Sequence, residues 1–381
     1  MPTVFASTRR VSIPSSLFWS CQAEVQECCD IDDDCSINLT ASVQLQCGNE
    51  TFDLQSPRRW LEYCEIQDGQ EEGAYTVLRC DFSFPSKSWK VWGRLFHMNR
   101  LASSHKSLLK KTQQVQPDET SRAAKGTHKL IQFLLEAAAE SIMESESLET
   151  ASRNDVVTLM LTVLWVPKDC GGIKVRGHVF HSGQIVVPKA YNPEPITASI
   201  AHIPGIEEAT DFEPLPNRHN NFPEAKLSSW CRRRTLLEKA FKPVGVGEVL
   251  LTRDLGGDVE ILEGLTSNLF VVYDDGTLRT PAVGSVLGGY ARKLVLDHAE
   301  ECNLRIEFGP LLMSEILQWK EVFITSSIRL ITPVDKIVII QNSGGEATNK
   351  RTIFALPKVA TRASWRHIYM RILEDHADKA S

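Results

Sequence analysis

The stretch Leu262-Glu263-Gly264-Leu265-Thr266-Ser267-Asn268-Leu269-Phe270 decides how the second half of this chain is read. A carboxylate ends one apolar run, a turn of small residues follows, and a second apolar run begins behind the turn. The pattern predicts strand, tight reversal and strand, with Glu263 at the mouth of the reversal. Alone, Glu263 reads equally well as a charge that protects a sheet edge. Working outward, residues 248–252, 259–263 and 269–273 read as short strands, and Asp275-Gly276 closes a hairpin. A helix begins after Gly288-Gly289, with Ala291, Leu294, Val295, Ala299 and Cys302 in register. Residues 322–325 form a further apolar strand, running into the hydroxyl cluster Thr325-Ser326-Ser327.

Upstream, residues 226–240 carry a helical pattern with Leu227, Trp230, Cys231 and Leu237 on one face. Before it lies a polar loop rich in Pro and Asn at 204–223, and strand-like segments at 174–180 and 196–203. The turn-rich stretch Lys168-Asp169-Cys170-Gly171-Gly172 reads as a domain boundary. Ahead of that, 73–80 is strand-like, 97–109 and 127–143 are helical, and 156–166 is a β-rich apolar run ended by Pro167. The expected organisation is an N-terminal extension over 1–40 and a small α+β domain over 41–170. A large domain over 171–345 and a C-terminal helical extension over 346–381 complete it. The fold class is therefore α/β (α+β): a small α+β domain followed by a larger β-rich domain with helices.

Composition excludes more than it names. The chain has 381 residues, 42% hydrophobic and 24% charged, with net charge −6, so no nucleic-acid partner is expected. Its 10 cysteines are too dispersed for a disulfide scaffold. The longest apolar run, 156–167, is interrupted by Thr158 and Thr162 and is too short to span a bilayer, so no membrane association is expected. Residues 1–23 hold Arg9 and Arg10 and no acidic residue, which weakly resembles an organelle transit peptide; otherwise a cytoplasmic location is expected. Under that expectation the Asn38 and Asn49 sequons go unused. The acidic run at 28–35 fits neither zinc nor calcium spacing and reads as a solvated segment, so no metal is assigned. Residues 21–72 contain 13 acidic and 2 basic residues while 86–129 contain 2 acidic and 10 basic, so the basic block flanks Arg79.

Four features could carry chemistry. Arg79 closes the first strand, where it could equally form a surface ion pair. Lys226 follows Pro223-Glu224-Ala225 among apolar neighbours, and burial would lower its pKa and make it a Schiff-base nucleophile; most such lysines simply snorkel. Glu263 is the third. The fourth is Gly288-Gly289-Tyr290-Ala291-Arg292, a helix N-terminus that offers free N–H groups to an anion, with the hydroxyls at 325–327 beyond. An arginine, a lysine, a carboxylate, a helix N-terminus and hydroxyls together meet the needs of pyridoxal 5′-phosphate (PLP).

These motifs carry a family resemblance. Gly73 to Arg79, His97-Met98-Asn99-Arg100-Leu101, Ala225-Lys226, Glu263 to Phe270, Leu287 to Arg292, Phe323 to Ser327 and Ile331 to Val334 resemble, in this order, the class IV (fold-type IV) PLP-dependent aminotransferases. That group includes branched-chain and D-amino-acid aminotransferases and aminodeoxychorismate lyase. The resemblance implies a PLP-dependent transaminase that moves an amino group between an amino acid and a 2-oxo acid through a Lys226 aldimine. It implies Glu263 at the pyridine nitrogen and Arg79 on the phosphate. The Tyr290 and Ala291 N–H groups and the Ser327 hydroxyl complete that cup. It also implies a homodimer and a structural role for His97 and Arg100. An aminodeoxychorismate-lyase-like reaction releasing pyruvate and a non-catalytic member are the alternatives. Two departures stand out: family members often carry Ile-Thr where this chain has Tyr290-Ala291, and often a tyrosine where it has Cys231. Arg218 is the substitute considered for that tyrosine, and Arg218 and His219 are considered for a substrate carboxylate.

Overall fold

The structure is a computed structural model that describes residues 19–26, 38–42, 60–62, 64, 72–83, 86–109, 117–144, 156–168, 172–186, 195–202, 224–341, 350–356 and 364–378. Two sheets organise it. The first is built from β1 (Trp19–Gln26), β2 (Asn38–Ser42), β3 (Ala74–Ser83), β4 (Ser88–Val91), β5 (Val156–Pro167) and β6 (Ile173–Val186). These strands run antiparallel in the order β2-β1-β6-β5-β3-β4. Helices α1 (Arg94–Leu109) and α2 (Pro117–Glu144) cover one face. The spacing of Leu130, Ile131, Leu134, Leu135 and Ala138 sets one stripe of α2 into the core against Leu78, Phe82, Leu161 and Trp165.

The second sheet begins with β7 (Ile196–His202) and, after helix α3 (Ser229–Phe241), continues with β8 (Val246–Asp254), β9 (Val259–Gly264), β10 (Asn268–Tyr273) and β11 (Thr277–Thr280). Helix α4 (Tyr290–Ala299) precedes β12 (Arg305–Phe308), β13 (Leu311–Leu312), β14 (Trp319–Ser326), β15 (Leu330–Gln341) and β16 (Lys350–Ala355), and α5 (Ser364–Asp378) follows. The order is β12-β11-β10-β14-β15-β7-β8-β9-β13, with β16 on β15. β7 runs parallel to both β15 and β8 in the middle of an otherwise mostly antiparallel sheet. β10 is buried on both faces, which is why it reads as an unbroken apolar run. Phe270 and Val272 pack with α4 and α5, while Leu269 and Val271 pack on the opposite side.

The residues that flank the stretch expected to divide the domains pair with each other in the first sheet. Ile173 pairs with Pro167, and the Lys168 N–H donates to the Gly172 carbonyl at 3.1 Å. A strand connection and a linker draw on the same Gly- and Asp-rich chemistry, so composition alone does not separate them. β6 therefore belongs to the first sheet. β1 and part of β2 fall within residues 1–40 and pair into that sheet, so the expected extension contributes strands. The expected C-terminal helical extension holds strand β16 as well as α5. Helix α2 begins at Pro117, with Asp118 and Glu119 in its first turn, ahead of the helix expected from 127. The 204–223 loop, with Arg218 and His219, and the 28–35 run lie outside the described residues. Among the described residues no helix is long and apolar enough to cross a membrane.

The turn before α1 joins the sheets. Trp92 packs in the second sheet's core beside Tyr290. Gly93 has φ +60, and a Cβ there would sit 2.3 Å from the Tyr290 ring. Gly93→Ala adds both backbone strain and overpacking. It should lower unfolding free energy by about 2–3 kcal/mol, seen as a lower urea midpoint at unchanged m-value.

Candidate active site

Lys226 lies just ahead of α3 rather than inside it, and its backbone is held on both sides. Its N–H donates to Ser104 Oγ of α1 at 3.0 Å, and its carbonyl accepts the Tyr75 N–H of β3 at 2.9 Å. Ala74 and Leu227 form an antiparallel bridge, the Ser228 N–H donates to the Gly73 carbonyl at 2.8 Å, and the Gly73 N–H donates to Ser228 Oγ at 3.0 Å. The Lys226 side chain is half-buried and its Nζ stands 5.1 Å from the centre of the Tyr75 ring, within cation–π range. Cys231 donates its S–H to the Tyr75 hydroxyl at 3.6 Å. A phenol from β3 thus stands beside the position where relatives often carry a tyrosine. The quoted strand motif contained Tyr75, yet its meeting with Cys231 spans 156 residues and leaves no local signal.

Glu263 ends β9 and is 1% exposed. Its Oε2 accepts Asn268 Nδ2 at 3.0 Å and the Leu287 N–H at 3.1 Å, and Asn268 Nδ2 also donates to the Leu287 carbonyl at 2.7 Å. The carboxylate is therefore fixed against the segment leading into α4. There Gly289 is the N-cap with extended backbone and no side-chain cap. The N–H groups of Tyr290 and Ala291 lie in the first turn of α4, at its positive end and ahead of the intrahelical ladder. Gly288 has open space where a side chain would stand. The Tyr290 phenol is pushed up to about 12 by burial, and its ring packs 5.3 Å from His97. Ala291 is buried.

Two arginines approach this cup. Arg100 Nη1 reaches the Gly288 carbonyl at 3.5 Å, and its Nη2 donates to Thr76 Oγ1 at 2.8 Å. Arg79 is 6% exposed and largely committed: Nε donates to both Asp81 oxygens at 3.0 and 3.1 Å, and Nη1 to the Ile328 carbonyl at 2.9 Å. Asp81 also accepts Trp92 Nε1 at 2.7 Å and Thr158 Oγ1 at 2.7 Å. Arg79 so braces the turn that holds Ser327, while Arg100, read from sequence as structural, is the guanidinium at the mouth of α4. Ser327 is half-buried in that turn.

His97, wholly buried, has Nδ1 2.8 Å from Thr76 Oγ1 and 3.1 Å from Arg100 Nη2. Both neighbours can donate, so Nδ1 accepts and the proton of the neutral ring sits on Nε2. Burial, then the charges of Arg100 and Lys226, hold His97 well below the ordinary value of 6.5. The ring is therefore neutral near pH 7.

The chain belongs to the class IV aminotransferase family: residues 83–337 match the description "Amino-transferase class IV". A protein of Methanocaldococcus jannaschii named as a branched-chain-amino-acid aminotransferase is 36% identical over 110 residues, covering 28% of this chain and 37% of that protein. The chain thus aligns with little more than a third of that relative. Among solved structures it is similar to a fold IV-transaminase, CpuTA1, from Curtobacterium pusillum, with TM-score 0.58 and 16% identity over 94% of this chain and 99% of that one. A hypothetical aminotransferase from Mycobacterium tuberculosis in its PLP-bound form aligns with TM-score 0.52 and 13% identity over 94% and 100%. At these identities the likeness concerns the fold, which is that of fold-type IV transaminases.

Acid should destabilise this fold in a defined window. His97 lies well below its ordinary value, and burial lowers His105 to about 4 and His178 to about 3 from 6.5. Between those values and 6.5 the unfolded chain binds protons that the folded chain refuses. Stability present above pH 6.5 is therefore lost as pH falls toward 4, by at most about 1.4 kcal/mol per pH unit for each histidine. His178→Phe keeps the stacking on Trp60 and should flatten the fall in urea-unfolding free energy between pH 6 and 4.

Proposed function

We propose that this chain is a PLP-dependent aminotransferase that exchanges an amino group between an amino acid and a 2-oxo acid, with Lys226 as its catalytic residue. The observation that carries the reading is the part played by α1. Ser104 holds the Lys226 backbone, and Arg100, one turn earlier, reaches Gly288 at the uncapped end of α4. Leu287, the residue before, donates to Glu263. An amine, a carboxylate and an anion cup are thereby linked by consecutive hydrogen bonds.

The donor set fits PLP. Lys226 Nζ would hold the aldehyde and Glu263 the protonated ring nitrogen. The phosphate would fall to the Tyr290 and Ala291 N–H groups, the Ser327 hydroxyl and the arginines, Arg100 at the helix end and Arg79 from the side of the Ser327 turn. When bound, PLP supplies an electron sink for the carbanion formed at the substrate's α carbon. The chain supplies the rest. Lys226 Nζ would move the proton from the substrate's α carbon, acting first as base and then as acid. Glu263, kept in place by Asn268 and Leu287, keeps a proton on the ring nitrogen. The Tyr75 ring gives the lysine an apolar wall and confines its path. Ala291 lacks the hydroxyl that relatives often place there, which leaves the phosphate to backbone donors, Ser327 and the guanidinium groups.

Neither the lyase nor the non-catalytic alternative is favoured. The functional unit in this reading is a homodimer, as the family resemblance implies. The purified protein should be yellow, and borohydride should attach the cofactor to the peptide containing Lys226. Protein that is colourless and takes up no added PLP overturns the reading. Glu263→Gln should lower turnover roughly 10²-fold or more, because it removes charge from the reacting ring, while cofactor retention falls much less. A screen of both enantiomers of each amino acid against 2-oxoglutarate and pyruvate identifies the substrates.

A further inference from the structure

The carboxylate of Glu248, on β8, is 2% exposed, and none of the chemistry above uses it. An ionised carboxylate is not buried without compensation. Here Oε2 accepts Thr266 Oγ1 at 2.8 Å and Ser267 Oγ at 2.9 Å, Oε1 accepts the Val249 N–H at 3.1 Å, and Arg329 Nη2 stands 3.9 Å from Oε2. Thr266 and Ser267 form the tip of the reversal that carries Glu263 on one side and Asn268 on the other. Arg329 lies two residues beyond Ser327. One buried carboxylate thus holds the turn of the ring-nitrogen carboxylate by hydrogen bonds and pairs, at longer range, with a half-exposed guanidinium in the turn of the phosphate hydroxyl.

The reversal packs tightly against it at Gly264. A Cβ at Gly264 would lie 2.2 Å from Ser267 Oγ and 2.8 Å from Glu248 Cγ. The reversal is also tied to β8 through the backbone, with the Leu265 N–H donating to the Val249 carbonyl at 3.0 Å, and it closes on itself through Gly264 N–H to Ser267 O at 2.8 Å. Neither backbone bond fixes the side chains of Thr266 and Ser267; their hydroxyls donate to Glu248. Release of those hydroxyls would let the tip rotate, and Asn268, whose Nδ2 is shared between Glu263 and the Leu287 carbonyl, would move with it.

We propose that Glu248 is a positioning residue that sets the aim of Glu263 by clamping the 264–267 reversal and that couples this turn to the Ser327 turn through Arg329. The proposal rests on the assignment of Glu263 to the ring nitrogen. It is tested on the holoenzyme by two readouts: cofactor retention on dialysis, and the pH midpoint of the bound cofactor's absorbance band. Glu248→Ala should weaken PLP retention roughly tenfold, the worth of a hydrogen bond to a charged group. It should also move the midpoint in the same direction as Glu263→Gln. Glu248→Gln, whose amide can still meet both hydroxyls, should restore most of the loss. Ser267→Ala and Thr266→Val should each move the midpoint less but in that same direction, and they decide the matter if Glu248→Ala does not fold. Wild-type spectra and retention in Glu248→Ala, or in both hydroxyl variants, overturn the proposal while the cofactor reading stands. A wild-type midpoint in Glu263→Gln removes the ring-nitrogen assignment itself, and the positioning role with it.

Discussion

Everything at this site depends on the short antiparallel seam between Gly73–Tyr75 and Lys226–Ser228. Two backbone hydrogen bonds and the Ser228 hydroxyl hold a residue that belongs to neither sheet against an edge of the first one. Side chains alternate along a strand, so this register decides which of Tyr75 and Thr76 faces the lysine. Tyr75 faces it, and Thr76 points to the opposite side, where His97 and Arg100 take its hydroxyl. A slip of one residue would exchange an aromatic wall for a hydroxyl. The position of the amine is therefore a property of the main chain, and its own long side chain has little left to search.

The strands, reversals and helix starts that carry Glu263, Ser327 and the α4 terminus were legible because each is a local pattern of apolar runs and turn residues. What stayed hidden spans long separations. Tyr75 meets Cys231 across 156 residues, and Arg100 meets Gly288 across 188. Arg79 is a different case, since Asp81 sits two residues further on the same strand and therefore on the same face. The two form a buried ion pair at 3.0 Å, where the sequence reading allowed a surface one. The boundary expected near residue 171 falls between two strands that pair in one sheet, and the residues of a strand connection and of an interdomain linker come from the same small set.

The buried charges of this site share a design. Arg79 is matched by Asp81, Glu263 by amide donors, and Glu248 by two hydroxyls and a backbone N–H. Such arrangements add little net stability over an apolar core of the same shape, yet losing one partner of a buried pair costs about 3–5 kcal/mol. They resist rearrangement more than they favour folding. Each of the three also joins segments distant in the chain or brackets a tight turn, which is where a packed apolar core constrains direction least. The charges consequently fix angles, and the cores described above fix distances.

Helix α1 supplies the common reference for those angles. His97, Arg100 and Ser104 recur at i, i+3 and i+7, so they share one stripe of the helix. Along that stripe Ser104 holds Lys226, Arg100 reaches the segment before α4, and His97 packs on Tyr290 in the first turn of α4. A rise of 1.5 Å per residue separates the first and last by about 10 Å. Because Gly93 lets the chain turn directly against Tyr290, the helix enters already in contact with the second sheet. One rigid element then measures out both ends of the site, and neither end can drift without breaking a hydrogen bond to that stripe.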